Sequence, residues 1–213
     1  MSIFKSDWIK ESKTPFSSRV AETLNPTPLR DKTMKTIYNL TMVRKKLEDS
    51  RLRMEQKHKM LFNKCVQSQE IKDSTTAIMY ANECAQVRKI VETVNSSQLA
   101  IDQVILRLET VLDFGDIGAE IMPAAGVIRS VKNRLAGVIP EVSFQLGAIG
   151  QTLDGMVLEI GEATGHTWSG ITLGDEANKI LEEASAVAED KIKEGFPTLP
   201  SQQTSERRLN SSN

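Results

Sequence analysis

Residues 29–114 read LRDKTMKTIYNLTMVRKKLEDSRLRMEQKHKMLFNKCVQSQEIKDSTTAIMYANECAQVRKIVETVNSSQLAIDQVILRLETVLDF, 86 residues with neither glycine nor proline. Glycine destabilises a helix interior by about 1 kcal/mol and proline by about 3 relative to alanine. Their joint absence over this length points to long helices. Pro26 and Pro28 stand before the stretch, and Asp113-Phe114-Gly115 closes it. Inside it, Ala77, Cys84, Val91, Gln98, Ile105 and Leu112 recur every seventh residue, and Tyr80, Val87, Val94, Ile101 and Leu108 interleave with them. That is an a/d seam of about five heptads, with Gln98 a polar member of the kind that fixes register. Upstream runs a thinner row, Leu40, Leu47, Met54 and Leu61. The change of phase between Leu61 and Ala77 predicts a turn near Gln67-Ser68-Gln69. Two helices of about 40 residues, each about 60 Å long, then fold back as an antiparallel hairpin. One straightened helix of about 130 Å is the other arrangement the sequence permits.

Outward from the hairpin the texture changes. All 12 glycines lie at or after Gly115. Segments 117–126, 127–139, 141–160 and 176–194 carry helical apolar spacing, for example Val127, Ile128, Val131, Leu135 and Ile139. Pro123, Gly126, Gly137, Pro140, Gly147, Gly150, Gly155, Gly161 and Gly165 punctuate them, which reads as a jointed, mobile half. The expectation is an all-α chain: an N-terminal segment 1–25, a basic hairpin 26–114, short hinged helices 115–174, an acidic helix 175–195 and a mobile tail 196–213, whose end is rich in Ser, Gln and Asn.

Charge is segregated along the chain. Residues 1–67 hold 15 Lys and Arg against 7 Asp and Glu, whereas residues 68–213 hold 12 against 21. Such asymmetry suggests an anionic partner for one end or self-association of opposite ends. The basic hairpin face comprises Arg44, Lys45, Lys46, Arg51, Arg53, Lys57, Lys59 and Lys64; the acidic helix offers Glu182, Glu183, Glu189 and Asp190. Folded back on the basic hairpin, that helix would hold the monomer closed.

Both ends carry short motifs. Phe4 and Trp8 are one helical turn apart, with Ile3 and Ile9 nearby and Lys5 and Lys10 flanking them. Bulky apolar residues ringed by lysines fit an interfacial anchor on an anionic membrane; packing on the protein's own core is the alternative. Phe196-Pro197-Thr198-Leu199-Pro200 places two prolines three apart, which holds an extended segment with Phe196 and Leu199 free to enter a groove. A proline-stopped helix end is the alternative there.

Other function classes recede. Cys65 and Cys84 show no CxxC spacing and no clustered histidines, so neither a disulfide framework nor a metal site is readable. No apolar run of about 18 residues exists, and the N-terminus lacks a signal-peptide core, which predicts a protein that stays inside the cell. His58 lies in the basic helix and His166 in a glycine-rich joint, without an arguable nucleophile beside either. No GxxxxGK[ST] or GxGxxG loop occurs. The expectation is a non-enzyme without cofactor or metal. Nucleic acid is disfavoured as a partner because no base-stacking aromatics accompany the basic stripe.

A basic first half with a long glycine-free hairpin, shorter helices behind it, an acidic helix and a Phe-Pro-x-Leu-Pro tail resembles the ESCRT-III proteins, and more closely the archaeal CdvB cell-division family. The stretch Ile121-Met122-Pro123, Val127-Ile128-Arg129 and Leu135-Ala136-Gly137-Val138-Ile139-Pro140-Glu141 is similar to that family's segment after the hairpin, and the likeness runs over roughly residues 25–200. The resemblance implies a subunit that polymerises with itself and with paralogues on the inner membrane face at the division site, and drives constriction and scission in division or vesicle budding. It also implies that Phe196, Pro197, Leu199 and Pro200 act as an MIT-interacting motif, gripped by an AAA ATPase with an MIT domain. Some members carry a long extension that binds a winged-helix partner; ending at Asn213, this chain resembles the shorter paralogues. A soluble coiled-coil adaptor that never touches lipid is the competing expectation.

Overall fold

The computed structural model describes residues 26–114, 117–165 and 173–196. Every element among them is helical: α1 Pro26–Glu70, α2 Ser74–Phe114, α3 Ile117–Leu135, α4 Pro140–Thr164 and α5 Leu173–Gly195. The fold is all-α, and α1 and α2 form the antiparallel hairpin that the glycine-free stretch predicts.

The hairpin turns later than the heptad phase suggests, at Ile71-Lys72-Asp73 rather than Gln67-Ser68-Gln69. Lys72 takes the left-handed conformation, with φ of 60°. Its amide donates to the Gln69 carbonyl at 3.0 Å and that of Asp73 to the Ser68 carbonyl at 2.9 Å. These two bonds close a Schellman motif on the last free carbonyls of α1. Asp73 also starts α2, its carboxylate accepting from the Thr76 amide at 3.1 Å. Glycine usually fills the left-handed position, and a lysine there gave the sequence no punctuation to read.

At its open end the hairpin is wrapped by the other helices. Leu40, Leu47, Ile101, Leu108, Ile128 and Leu146 are among the fully buried side chains of this main core. The seam drifts as it enters the bundle. Ala77, Cys84 and Val91 are buried as expected, but farther on the buried row is Ile101, Val104, Leu108 and Val111, while Ile105 and Leu112 are half-exposed. A straight helix advances 3.6 residues per turn, so a seven-residue row rotates away unless the helices supercoil. Gln98 does stand between the two helices, its amide donating to Glu48 Oε2 at 2.9 Å.

The second half is less jointed than its punctuation implies. The segments 117–126 and 127–139 are largely one helix, α3, which carries Pro123 inside it. Burial of Ile121, Ala124, Ile128, Val131 and Leu135 on one face outweighs the hydrogen bond that proline removes. Gly147, Gly150 and Gly155 lie inside an unbroken α4. A Cβ at Gly147 would meet the Lys132 side chain at 3.6 Å and one at Gly150 would meet Ile128 at 3.8 Å, so these glycines sit where α4 approaches α3 closely. True breaks fall at residues 136–139, before Pro140, and at Gly165, the left-handed cap of α4 with φ of 67°. Antiparallel to α1, α4 is pinned by Lys32–Glu159 at 2.6 Å and Lys46–Glu141 at 2.7 Å.

Candidate functional site

The eight basic residues of α1 do not share a face. Lys46, Arg53, Lys57 and Lys64 follow one another at steps of seven, four and seven, which lines them along one stripe. Arg53, Lys57 and Lys64 are exposed, beyond the point where Lys46 meets the start of α4. Lys45 and Lys59 are exposed away from that stripe. Arg44 and Arg51 are paired with carboxylates: the exposed Arg44 meets Asp102 of α2 at 3.4 Å, and the half-buried Arg51 forks between Glu48 and Glu55 of its own helix. Lys64 also covers the Tyr80 ring at 5.6 Å. Arg53, Lys57 and Lys64 thus form an exposed basic stripe towards the hairpin tip, with Lys45 and Lys59 exposed off it.

Helix α5 closes one flank of the hairpin by apolar contact. Ala177, Ile180, Leu181, Ala184, Ala188 and Ile192 are buried, at the three- and four-residue spacing of an amphipathic helix. Glu182, Glu183, Glu189 and Asp190 point outward instead, the last two pairing with Lys193 of their own helix at 2.9 and 3.8 Å. The expected electrostatic clasp between these four and the basic face is thus replaced by burial against α2 and α3. The ion pair Arg107–Glu176 at 2.9 Å joins the start of α5 to the hairpin.

The C-terminal end of α5 reaches a second apolar cluster, Leu61, Cys84, Val87, Val91 and Ile192, against which Phe62, Tyr80 and Phe196 pack. Phe196 meets the buried His58 edge-on, with ring centroids 4.4 Å apart, and the Arg88 guanidinium lies 5.6 Å from the Phe196 ring centroid. Burial, and secondarily the charge of Arg88, hold the His58 imidazole below its usual range of proton uptake. Its Nε2 is buried without a hydrogen-bond partner. Beside this socket opens a cavity of about 810 Å³ bordered by Arg51, Glu55, Gln98, Asp102, Lys191 and Phe196. Burial raises the Asp102 carboxyl against the opposing pull of Arg44. The sequence singled out Phe196 for its prolines; the signal for its socket, His58 falling on the buried side of α1, was masked by the basic residues around it.

Other expected sites fall elsewhere. Ile3, Phe4, Lys5, Trp8, Ile9 and Lys10, like Pro197, Leu199, Pro200 and His166, lie outside the described residues. Among the described residues, no helix is long and apolar enough to cross a membrane, and no group of three metal-ligating side chains converges.

Against this geometry, two known proteins of Sulfolobus acidocaldarius are similar in sequence. "Cell division protein B1" is 44% identical over 173 residues, covering 81% of this chain and 81% of that protein. The chain belongs to the CdvB cell-division family. "Cell division protein B" of the same organism is 30% identical over 155 residues, 73% of this chain and 59% of the longer relative. No family model and no solved structure matches. The 81% shared with the first relative is more of the chain than the hairpin alone provides, so the CdvB assignment covers the shorter helices as well.

Proposed function

We propose that this CdvB-family chain is a polymer-forming subunit of archaeal cell division that assembles on anionic membrane and drives constriction, with a structural rather than a catalytic role. The observation that carries this is the exposed stripe Arg53, Lys57 and Lys64, continuous with Lys46, on a hairpin about 60 Å long. Each such cation attracts an anionic leaflet by about 1 kcal/mol, and side-by-side hairpins repeat the stripe along a polymer. Phe4, Trp8 and Ile9 would add shallow insertion. Paralogues as co-subunits are supported by two related cell-division proteins in one organism.

Release of α5 is the switch in this reading. Its hold is apolar, and Phe196, the first residue of the Phe-Pro-x-Leu-Pro motif, contributes to the cluster that anchors it. An AAA ATPase with an MIT domain that engages Phe196, Pro197, Leu199 and Pro200 would have to take Phe196 out of its socket. Gripping the tail and opening the hairpin are then one event, a shift between two packings. Scission, in division or in vesicle budding, would follow from polymer curvature.

Co-sedimentation with vesicles of anionic and of neutral lipid tests the reading, with electron microscopy of the pellet. Filaments on anionic vesicles that disperse in high salt are expected. Chain that stays in the supernatant at low salt, full-length and without residues 176–213, would overturn it in favour of a soluble adaptor.

A further inference from the structure

We infer that the outer surface shared by α1 and α4 is a self-complementary docking face for a second copy of this chain, paired about a two-fold axis parallel to the seam between the two helices. On α4 the core residues are Val142, Leu146, Ile149, Leu153, Met156 and Ile160, and Phe144 points nearly opposite to them. Phe144 is 81% exposed, an unusual state for a phenylalanine. Leu158, fourteen residues on and so on the same outward side, is 68% exposed. On the adjoining α1, Met34, Tyr38 and Met42 form an outward row at steps of four, each more than two-fifths exposed. Between the helices runs a groove of about 400 Å³, floored by Val43 and Ile149 and edged by Met42 and Phe144. A knob therefore stands on the rim of a hole.

The antiparallel pairing of α1 with α4 sets these side chains level. The Lys46–Glu141 bridge lies near Met42 and Phe144, and the Lys32–Glu159 bridge near Met34 and Leu158. A two-fold axis along the seam lays the α4 of one copy over the α1 of the other without reversing its direction. Phe144 then comes down on Met42 and the groove, Leu158 comes down on Met34, and both contacts occur twice.

Charge selects the same axis. Helix α4 carries Glu141, Asp154, Glu159 and Glu162 and no Lys or Arg. Residues 29–46 of α1 carry Arg30, Lys35 and Lys45 against Asp31, besides Lys32 and Lys46, which already bridge to Glu159 and Glu141 of the same chain, and Arg44, which meets Asp102 of α2. An axis across the seam would lay α1 on α1 and set like charges face to face; an axis along it sets basic on acidic. Opposite potentials across an interface steer association and fix its register. Between the two seam bridges the face presents these apolar side chains, with the exposed Lys35 and Lys45 of α1 among them. A second copy satisfies both features at once. The pairing needs no lipid, so it stands or falls separately from the membrane reading.

Sedimentation of the full-length chain without lipid, over a concentration series at low salt, tests the inference. A monomer–dimer equilibrium is expected, weakened at least tenfold by Phe144→Asp, a fully solvent-facing change that leaves the fold intact by circular dichroism. Disulfide trapping fixes the geometry, because Cys65 and Cys84 are both buried. Phe144→Cys mixed with Met42→Cys should give a cross-linked dimer under mild oxidation, while either variant alone should not. A wild-type chain that stays monomeric at its highest soluble concentration would overturn the inference. So would a dimer indifferent to Phe144→Asp, cross-linking of Phe144→Cys to itself, or pairing only with a paralogous protein.

Discussion

His58 brings a titratable ring into the wall that receives Phe196, and its environment gives the stability of the fold a pH dependence of definite sign. Burial, then the nearby Arg88 charge, lowers its proton affinity in the fold relative to the ordinary 6.5. Across the interval below that value the unfolded chain therefore binds the proton more readily than the folded one. Stability from the neutral ring is fully present above about pH 6.5 and is lost as the pH falls. Urea unfolding at pH 7.5 and pH 5.5 should show this loss in the wild type, and His58→Phe should remove that part of it. Asp102, raised by burial, works in the opposite direction at lower pH, where the folded state takes up its proton first. Phe196 faces the same ring and is half-buried. Full truncation of a buried Phe costs about 3–5 kcal/mol, so Phe196→Ala should loosen the end of α5 by about 1–2 kcal/mol. Hydrogen exchange faster by roughly tenfold at amides near Ile192, with the main core unchanged, is the expected reading.

Element by element, the sequence was most informative where periodicity and composition agree. The glycine-free stretch and its apolar rows announced α1 and α2, because a long helix must exclude glycine and proline and must bury a stripe. Punctuation misled where it met tertiary packing: Pro123 and Gly150 look like breaks, yet burial of Ile128 and its neighbours keeps α3 and α4 whole. The reverse holds at the hairpin turn, where Lys72 supplies a left-handed residue without the usual signature. Replacing it relieves that strain, so Lys72→Gly should raise stability by about 0.5–1 kcal/mol, read as a higher urea midpoint at unchanged slope. The candidate site was legible only in part. A run of cations says nothing of which helical side each occupies, so Arg44 and Arg51 were grouped with Arg53 and Lys57 although Arg44 pairs with Asp102 of α2 and Arg51 with Glu48 and Glu55 of its own helix. The acidic residues of α5 likewise drew attention away from the apolar face that holds it.

Across the whole molecule, opposite charge is laid out along the chain while the contact that holds α5 to its neighbours is apolar, and that separation makes the two effects independently testable. High salt screens the stripe Arg53, Lys57 and Lys64 at a solvent-facing surface but leaves the burial of Ile180, Leu181 and Ile192 nearly untouched. Removing residues 176–213 uncovers α2 and α3 at their contacts with α5 without altering the stripe. That truncation should therefore assemble at low salt and bind anionic vesicles more tightly than the full chain. Sticky apolar surface alone would also pellet a truncated chain, and the stripe separates the two causes. With Arg53→Gln, Lys57→Gln and Lys64→Gln added, electrostatic attachment loses about 3 kcal/mol at roughly 1 kcal/mol per cation, a fall of about a hundredfold in vesicle affinity. Non-specific association would be unmoved by those changes and would persist on neutral lipid. Affinity that collapses in the triple variant and in high salt, while far-ultraviolet dichroism stays helical, is the expected outcome; pelleting that ignores charge would mean that α5 serves only to cover an apolar flank.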